Sequence, residues 1–188
     1  MGKRSSFPRR KNDAYDTPFK AVMPVIPHLI ADGIKRFVEP CCGDGFLVEH
    51  LERFGLGCAY QNDIKAGADA LSLTPAQFDR LGADAIVTNP PWTREIMHPL
   101  IDHFQRLAPT WLLFDADWAH TRQAAGYLEH CSKIVSVGRV KWMPDSKHYG
   151  KDNAAWYRFD IRHTEGPLFI GLPQYRLITL AEIAAEPC

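Results

Sequence analysis

Short apolar runs alternate along this chain with stretches whose apolar residues recur at helical spacing. Residues 34 to 38, 57 to 61, 85 to 88, 111 to 114, 134 to 140 and 155 to 161 read as strands. Phe46 to Phe54 reads as an amphipathic helix. Thr74-Pro75-Ala76-Gln77 forms a capping box with proline at the first helical position, which predicts a helix over 75 to 81. Thr93 can cap a further helix running to Leu107, although Pro99 is expected to kink or interrupt it. Strands alternating with helices predict an α/β fold built on a doubly wound, mostly parallel sheet. The segment from Val140 to Asp160, two strands around Pro144-Asp145-Ser146 and Gly150-Lys151-Asp152-Asn153, reads as a hairpin. Residues 164 to 188, with Gly166-Pro167 and Gly171-Leu172-Pro173, read as loop with room for a short helix. The organisation is therefore a basic arm over 1–11, one domain over 12–163 and a tail over 164–188 that packs on it. There is no internal repeat and no second domain.

Composition narrows the partners. The 188 residues suffice for one sheet covered on both faces, and the 22 Lys and Arg balance the 22 Asp and Glu. Zero net charge argues against general attraction to polyanions, so nucleic-acid binding needs a local patch. Two candidates exist: Lys3, Arg4, Arg9, Arg10 and Lys11 in the arm, and Lys133, Arg139, Lys141, Lys147 and Lys151 late in the chain. The arm reads equally well as a solvated tail. Five cysteines and eight histidines show no metal-ligand spacing, so no metal is expected. An odd cysteine count, no signal peptide and no apolar stretch near membrane-spanning length point to a reduced, cytoplasmic protein without a membrane partner. The oligomeric state is open.

The chemistry concentrates in two segments. Asn89-Pro90-Pro91-Trp92 directly follows the apolar run Ala85 to Thr88, and it puts an amide, a stiff turn and an aromatic ring at a strand's carboxyl end. Such ends are where open α/β sheets bind ligands. A plain strand-ending Asn-Pro turn is the bland alternative. Upstream, Glu39-Pro40-Cys41-Cys42-Gly43-Asp44-Gly45 forms a strand-to-helix turn in which Gly43 and Gly45 can take positive φ. A dinucleotide fingerprint would need a third glycine at position 48, which is Val, and no Gly-Lys-Ser/Thr phosphate loop follows. An acid ahead of two glycines suits a ligand with a cationic or zwitterionic end. Cys41 and Cys42 read as small fillers in this loop.

Together these motifs resemble the class I S-adenosylmethionine-dependent methyltransferases, in particular the amino-group branch that methylates adenine N6 in DNA, in a small phage-like form. The resemblance covers residues 12 to 163 and implies a Rossmann-like fold ending in an antiparallel hairpin. It implies S-adenosylmethionine as cofactor, with Tyr15, Thr17 and Pro18 of Tyr15-Asp16-Thr17-Pro18 over the methionine end, beside Glu39, Pro40, Cys41, Gly43, Gly45 and Asn89. Asp63, in Asn62-Asp63-Ile64, would hold the ribose hydroxyls, and Ile64 would pack on the adenine. Asp69 and Ala70, in Asp69-Ala70-Leu71, are similar to the motif that accepts from the adenine amino group.

Adenine N6 is a poor nucleophile until its amino group pyramidalises. The Asn89 side-chain oxygen and the Pro90 carbonyl, stiffened by Pro91, could accept its two hydrogens. An amide is no strong base, so placement would supply most of the acceleration. Trp92 would stack on an extruded base, with Trp142 as a second aromatic contact, or else Trp142 simply packs on the sheet. Arg139 and Lys141 would meet the nucleic acid. Asp115 and Asp117 could line the same cleft or cap the following helix. The resemblance implies DNA as partner, and its lack of a target-recognition domain implies low sequence specificity. RNA adenine, a glutamine amide in a protein, and a catalytically silent binding subunit are the rival readings.

Overall fold

In a computed structural model, residues 15–143 and 150–172 are described. The arm over 1–11, Lys147 and the tail from residue 173 lie outside them. The seven strands are β1 (Arg36–Glu39), β2 (Gly57–Gln61), β3 (Ala85–Thr88), β4 (Thr110–Asp115), β5 (Cys131–Arg139), β6 (Asn153–Phe159) and β7 (Leu168–Ile170). They form one sheet in the order β2-β1-β3-β4-β6-β5-β7. β1 pairs in parallel with β2 and β3, and β3 with β4. β6 runs antiparallel to both β4 and β5. The expected α/β architecture and terminal hairpin are both present.

Helices cover the two faces. They are α1 (Phe19–Val22), α2 (Ile26–Ala31), α3 (Phe46–Glu52), α4 (Pro75–Leu81), α5 (Arg94–Leu107) and α6 (Ala125–Leu128). On one face Val22, Val25, Ile26 and Leu29 pack with Leu47, Leu51, Phe37, Val87, Trp111 and Trp156. On the other, Met97, Leu100, Ile101 and Phe104 of α5 pack with Val38, Ile86, Leu112, Phe114 and Tyr157. Adjacent strand residues thus feed opposite cores, as the pleat requires. β3 is buried along its whole length because both faces are covered.

No element is expected from the sequence before residue 34, yet α1 and α2 form there. Their signal is the spacing of Val22, Val25, Ile26 and Leu29, one helical face interrupted by Pro24 and Pro27. The indole N–H of Trp156 on β6 donates to the Ala21 carbonyl at 2.8 Å and pins this leader to the sheet. Asp32, at the end of α2, accepts from Lys133 Nζ at 2.6 Å and from Arg158 Nε at 2.7 Å.

Three other expectations meet the structure. The capping box at Thr74 forms as read, with Thr74 and Gln77 bonding reciprocally. α5 is not interrupted: it runs through Pro99. The proline removes the bond to the Glu95 carbonyl, but that carbonyl sits in the exposed first turn, where water can replace it. Residues 168–170, read from sequence as loop or helix, form β7 instead. They pair in parallel with β5, a partner that only the finished hairpin supplies.

Candidate functional site

The strand order reverses between β1 and β3: the chain leaves β1 outward to β2 and returns past it to β3. Ligands of open α/β sheets bind outside the carboxyl ends of the strands at such a switch point. Here the two ends are Glu39-Pro40-Cys41 and Thr88-Asn89-Pro90.

After β1 the chain turns through Gly43, at φ 53°, and Gly45, at φ 88° and the N-cap of α3. A Cβ would find room at both, so left-handed backbone, not crowding, requires glycine. The loop is tied to the end of β2. Cys42 N donates to the Asn62 carbonyl at 2.9 Å, and Gly43 N donates to Asp63 Oδ2 at 2.9 Å. Asp63 Oδ1 accepts from Lys65 N at 2.9 Å. One carboxylate therefore holds two loops in register and still has lone pairs for a ligand.

Glu39 is 1% exposed. Its Oε1 accepts from the Thr88 hydroxyl at 2.6 Å, and its Oε2 has no partner among the described residues. Burial pushes the carboxyl up to about 8, against the opposing pull of the Thr88 hydroxyl and the Asn89 backbone N–H. Burial also drives the Cys41 thiol far up, in keeping with a filler.

Asn89 sits at the end of β3 with both ends of its amide engaged. Nδ2 donates to Thr17 Oγ1 at 3.1 Å, and Oδ1 accepts from Trp92 Nε1 at 3.1 Å. Trp92 Nε1 also donates to the Leu113 carbonyl at 3.1 Å. The Trp92 ring meets Trp142 edge to face, with centroids 5.4 Å apart, and Trp142 in turn neighbours Tyr15 at 6.4 Å.

A cavity of about 400 Å³ unites these parts, within the range of small-molecule and cofactor pockets. Of the residues singled out from sequence, Tyr15, Thr17, Glu39, Pro40, Cys41, Gly43, Asp63, Ile64, Asp69, Ala70, Asn89 and Pro91 line it. Phe46, Ile64, Leu71 and Ile96 are large apolar side chains between 41% and 57% exposed, and all four face this cavity. Apolar surface left open in one concave place is a ligand signal.

No protein-family model matches the chain, and no curated protein matches it. Solved structures do. A protein of Listeria monocytogenes assigned to the class I S-adenosylmethionine-dependent methyltransferases superposes with a TM-score of 0.51 at 12% identity, over 87% of this chain and 67% of its own. The fold is that of the class I methyltransferases. A protein of Vibrio vulnificus assigned as the modification subunit of a type I restriction enzyme reaches 0.48 at 16% identity, over 86% of this chain, which spans about half of that longer one, 48%. A dimethyladenosine transferase from Plasmodium falciparum reaches 0.45 at 15% identity, over 78% of this chain and 62% of its own.

Several sequence-derived candidates do not line the cavity of this methyltransferase fold. Pro18 and Gly45 act one step behind it, as the N-cap residues of α1 and α3. Pro90 is buried. Trp142 packs against the first core and Trp92 against both, with Tyr15 linking their row to the cavity. Asp115 bonds Asp117 N at 3.0 Å and caps the turn that follows β4, the second of its two readings.

The late basic cluster does not stay together. β5 runs parallel to β4, because β6 is antiparallel to both. Arg139 and Lys141 therefore lie toward the edge that carries Asn89. Lys133 sits six residues earlier on the strand, roughly 20 Å away, bound to Asp32. Sequence reasoning missed Phe46, Glu95, Ile96, Pro99 and Leu100, all of which line the cavity. On α5 the signal was Ile96, an apolar residue off the buried stripe of Met97, Leu100, Ile101 and Phe104. Among the described residues no cluster of His, Cys, Asp or Glu is arranged to hold a metal, and no helix is long and apolar enough to cross a membrane.

Proposed function

We propose that this protein transfers a methyl group from S-adenosylmethionine to the N6 amino group of adenine in DNA. The observation that carries the reading is a cavity at the switch point that joins Asn89 to Glu39, Asp63 and Asp69. The residues suit the cofactor. The unpartnered Glu39 Oε2 and the glycine turn offer an acceptor and open backbone for an ammonium and carboxylate end. Asp63 keeps lone pairs for ribose hydroxyls, and Ile64, 57% exposed, gives an apolar face for a purine. When bound, the cofactor supplies a methyl group activated on a sulfonium.

The chain's own residues then place the nucleophile. Asn89 Oδ1 accepts from the amino group and draws its hydrogen out of the ring plane, which returns the lone pair to nitrogen. Asn89 cannot take the proton, so the amine loses it to solvent after transfer. Placement and fixed dipoles lower the barrier. A base inside a duplex cannot reach this cavity, so the adenine is extruded and meets the aromatic row of Trp92 and Trp142. Arg139 and Lys141, at the cavity's edge of the sheet, hold phosphates without reading sequence, and no long insertion follows Trp92 to enter a groove. Methylation in many sequence contexts is the consequence.

The test is nucleoside mass spectrometry after incubating the protein and S-adenosylmethionine with a mixed-sequence DNA duplex, with structured RNA and with protein. N6-methyladenine in the duplex supports the reading. Product only in RNA, or on glutamine, reassigns the substrate, and no product with any probe overturns the activity.

A further inference from the structure

We propose that Trp92, through its indole N–H, and Thr17, through its hydroxyl, are positioning residues that lock the Asn89 amide in one orientation and present its oxygen to the substrate. This rests on the reading of Asn89 as the acceptor for a substrate amino group. A carboxamide is ambivalent: rotated by half a turn it exchanges an acceptor for a donor at almost no steric cost. A donor facing an amino group would repel it.

The surroundings of Asn89 remove that ambiguity. An indole N–H can only donate, so the Asn89 atom 3.1 Å from Trp92 Nε1 must be oxygen. The nitrogen then faces Thr17 Oγ1, also at 3.1 Å, which accepts from it across 72 residues of chain. Both locking groups are themselves held. Thr17 is 5% exposed, and Trp92 Nε1 shares its hydrogen with the Leu113 carbonyl of β4 at 3.1 Å. The Trp92 ring packs on both cores and meets Trp142 at an interplanar angle of 89°. With one lone pair of Oδ1 given to Trp92, one remains for the substrate. A phenyl or phenol ring at position 92 could stack on a base equally well but would lack this N–H.

The experiment uses the full-length protein in two arms. In single-turnover methylation of an adenine-containing mixed-sequence duplex, Trp92→Phe keeps an aromatic face and removes the N–H. The expected result is about tenfold slower transfer, the worth of one lost polar contact, with the S-adenosylmethionine dissociation constant unchanged. In an Asn89→Ala background the same change should cost nothing further. Thr17→Ser should retain the rate that Thr17→Val loses. An undiminished rate in Trp92→Phe, or an equal loss with and without Asn89, overturns the lock.

The second arm needs no substrate. In nitrogen-15 spectra of the ligand-free protein, solvent exchange of the Asn89 side-chain NH2 should quicken in Trp92→Phe and in Thr17→Val. Unchanged exchange in both overturns the lock. A wild-type protein inactive on every probe overturns the proposed activity instead, and this arm still judges the lock.

Discussion

The hydroxyl of Thr88 donates to the carboxyl of Glu39 across 2.6 Å, tying the end of β3 to the end of β1 where the strand order reverses. The contact is buried, and the second carboxyl oxygen of Glu39, a residue that lines the cavity, has no partner among the described residues.

In the proposed cofactor site, that arrangement would make Glu39 a proton-linked group. Burial raises it from 4.5 to about 8, so in the ligand-free protein it is mostly neutral at pH 7. A cationic ligand end favours the ionised form, and its binding should release a proton. Between pH 6 and 7.5, S-adenosylmethionine affinity should rise by up to about tenfold per pH unit, and Glu39→Gln should abolish the rise. Calorimetry in buffers of different ionisation enthalpy reads the proton directly. For stability the sign is opposite. A folded value above the unfolded one means that Glu39's contribution is complete below pH 4.5 and is lost as pH climbs toward about 8. Ligand-free melting points should fall over that range more steeply in the wild type than in Glu39→Gln.

Asp63 joins two loops and one proposed ligand contact. Asp63→Ala should cost about 1.5–3 kcal/mol of S-adenosylmethionine affinity, as for hydrogen bonds to a charged group, measured by titration calorimetry. Because Gly43 N and Lys65 N both donate to it, hydrogen exchange at these two amides should quicken as well. Wild-type affinity in the variant would remove Asp63 from the site.

Asn89→Ala should lower the single-turnover rate by about two to three powers of ten, as for loss of one preorganised polar contact in a transition state. Cofactor affinity should survive. A severe loss of binding would show that Asn89 supports the loop instead of acting on the amine.

His98 supplies a second pH dependence. Its Nε2 accepts from Trp118 Nε1 at 3.0 Å, which only a neutral imidazole can do. Burial, aided by Arg94, holds it below the ordinary 6.5. A lowered folded value means that its contribution is complete above pH 6.5 and is lost as pH falls through the folded value. Melting points measured downward from pH 7 should drop, and His98→Gln should shallow the drop. Part of the slope should remain, since His28 and His50 are lowered too.

What the sequence by itself determined is local. The strands over 57–61 and 85–88, the capping box at Thr74 and the glycine turn after Glu39 were legible because each depends on residues within one pleat, turn or cap. The two motifs at Glu39 and Asn89 were legible for the same reason, as strand-ending patterns that a sheet's carboxyl edge requires. Only the tertiary structure decided what those residues touch. Glu39 meets Thr88 across 49 positions, and Asn89 meets Thr17 across 72. Lys133 leaves its apparent basic cluster for Asp32, and Trp92 turns its N–H inward to Leu113. β7 exists because the hairpin of β5 and β6 exposes an edge for it. Periodicity and turn chemistry act over a few residues, whereas burial, partner choice and the protonation of Glu39 depend on which distant segments the sheet brings side by side.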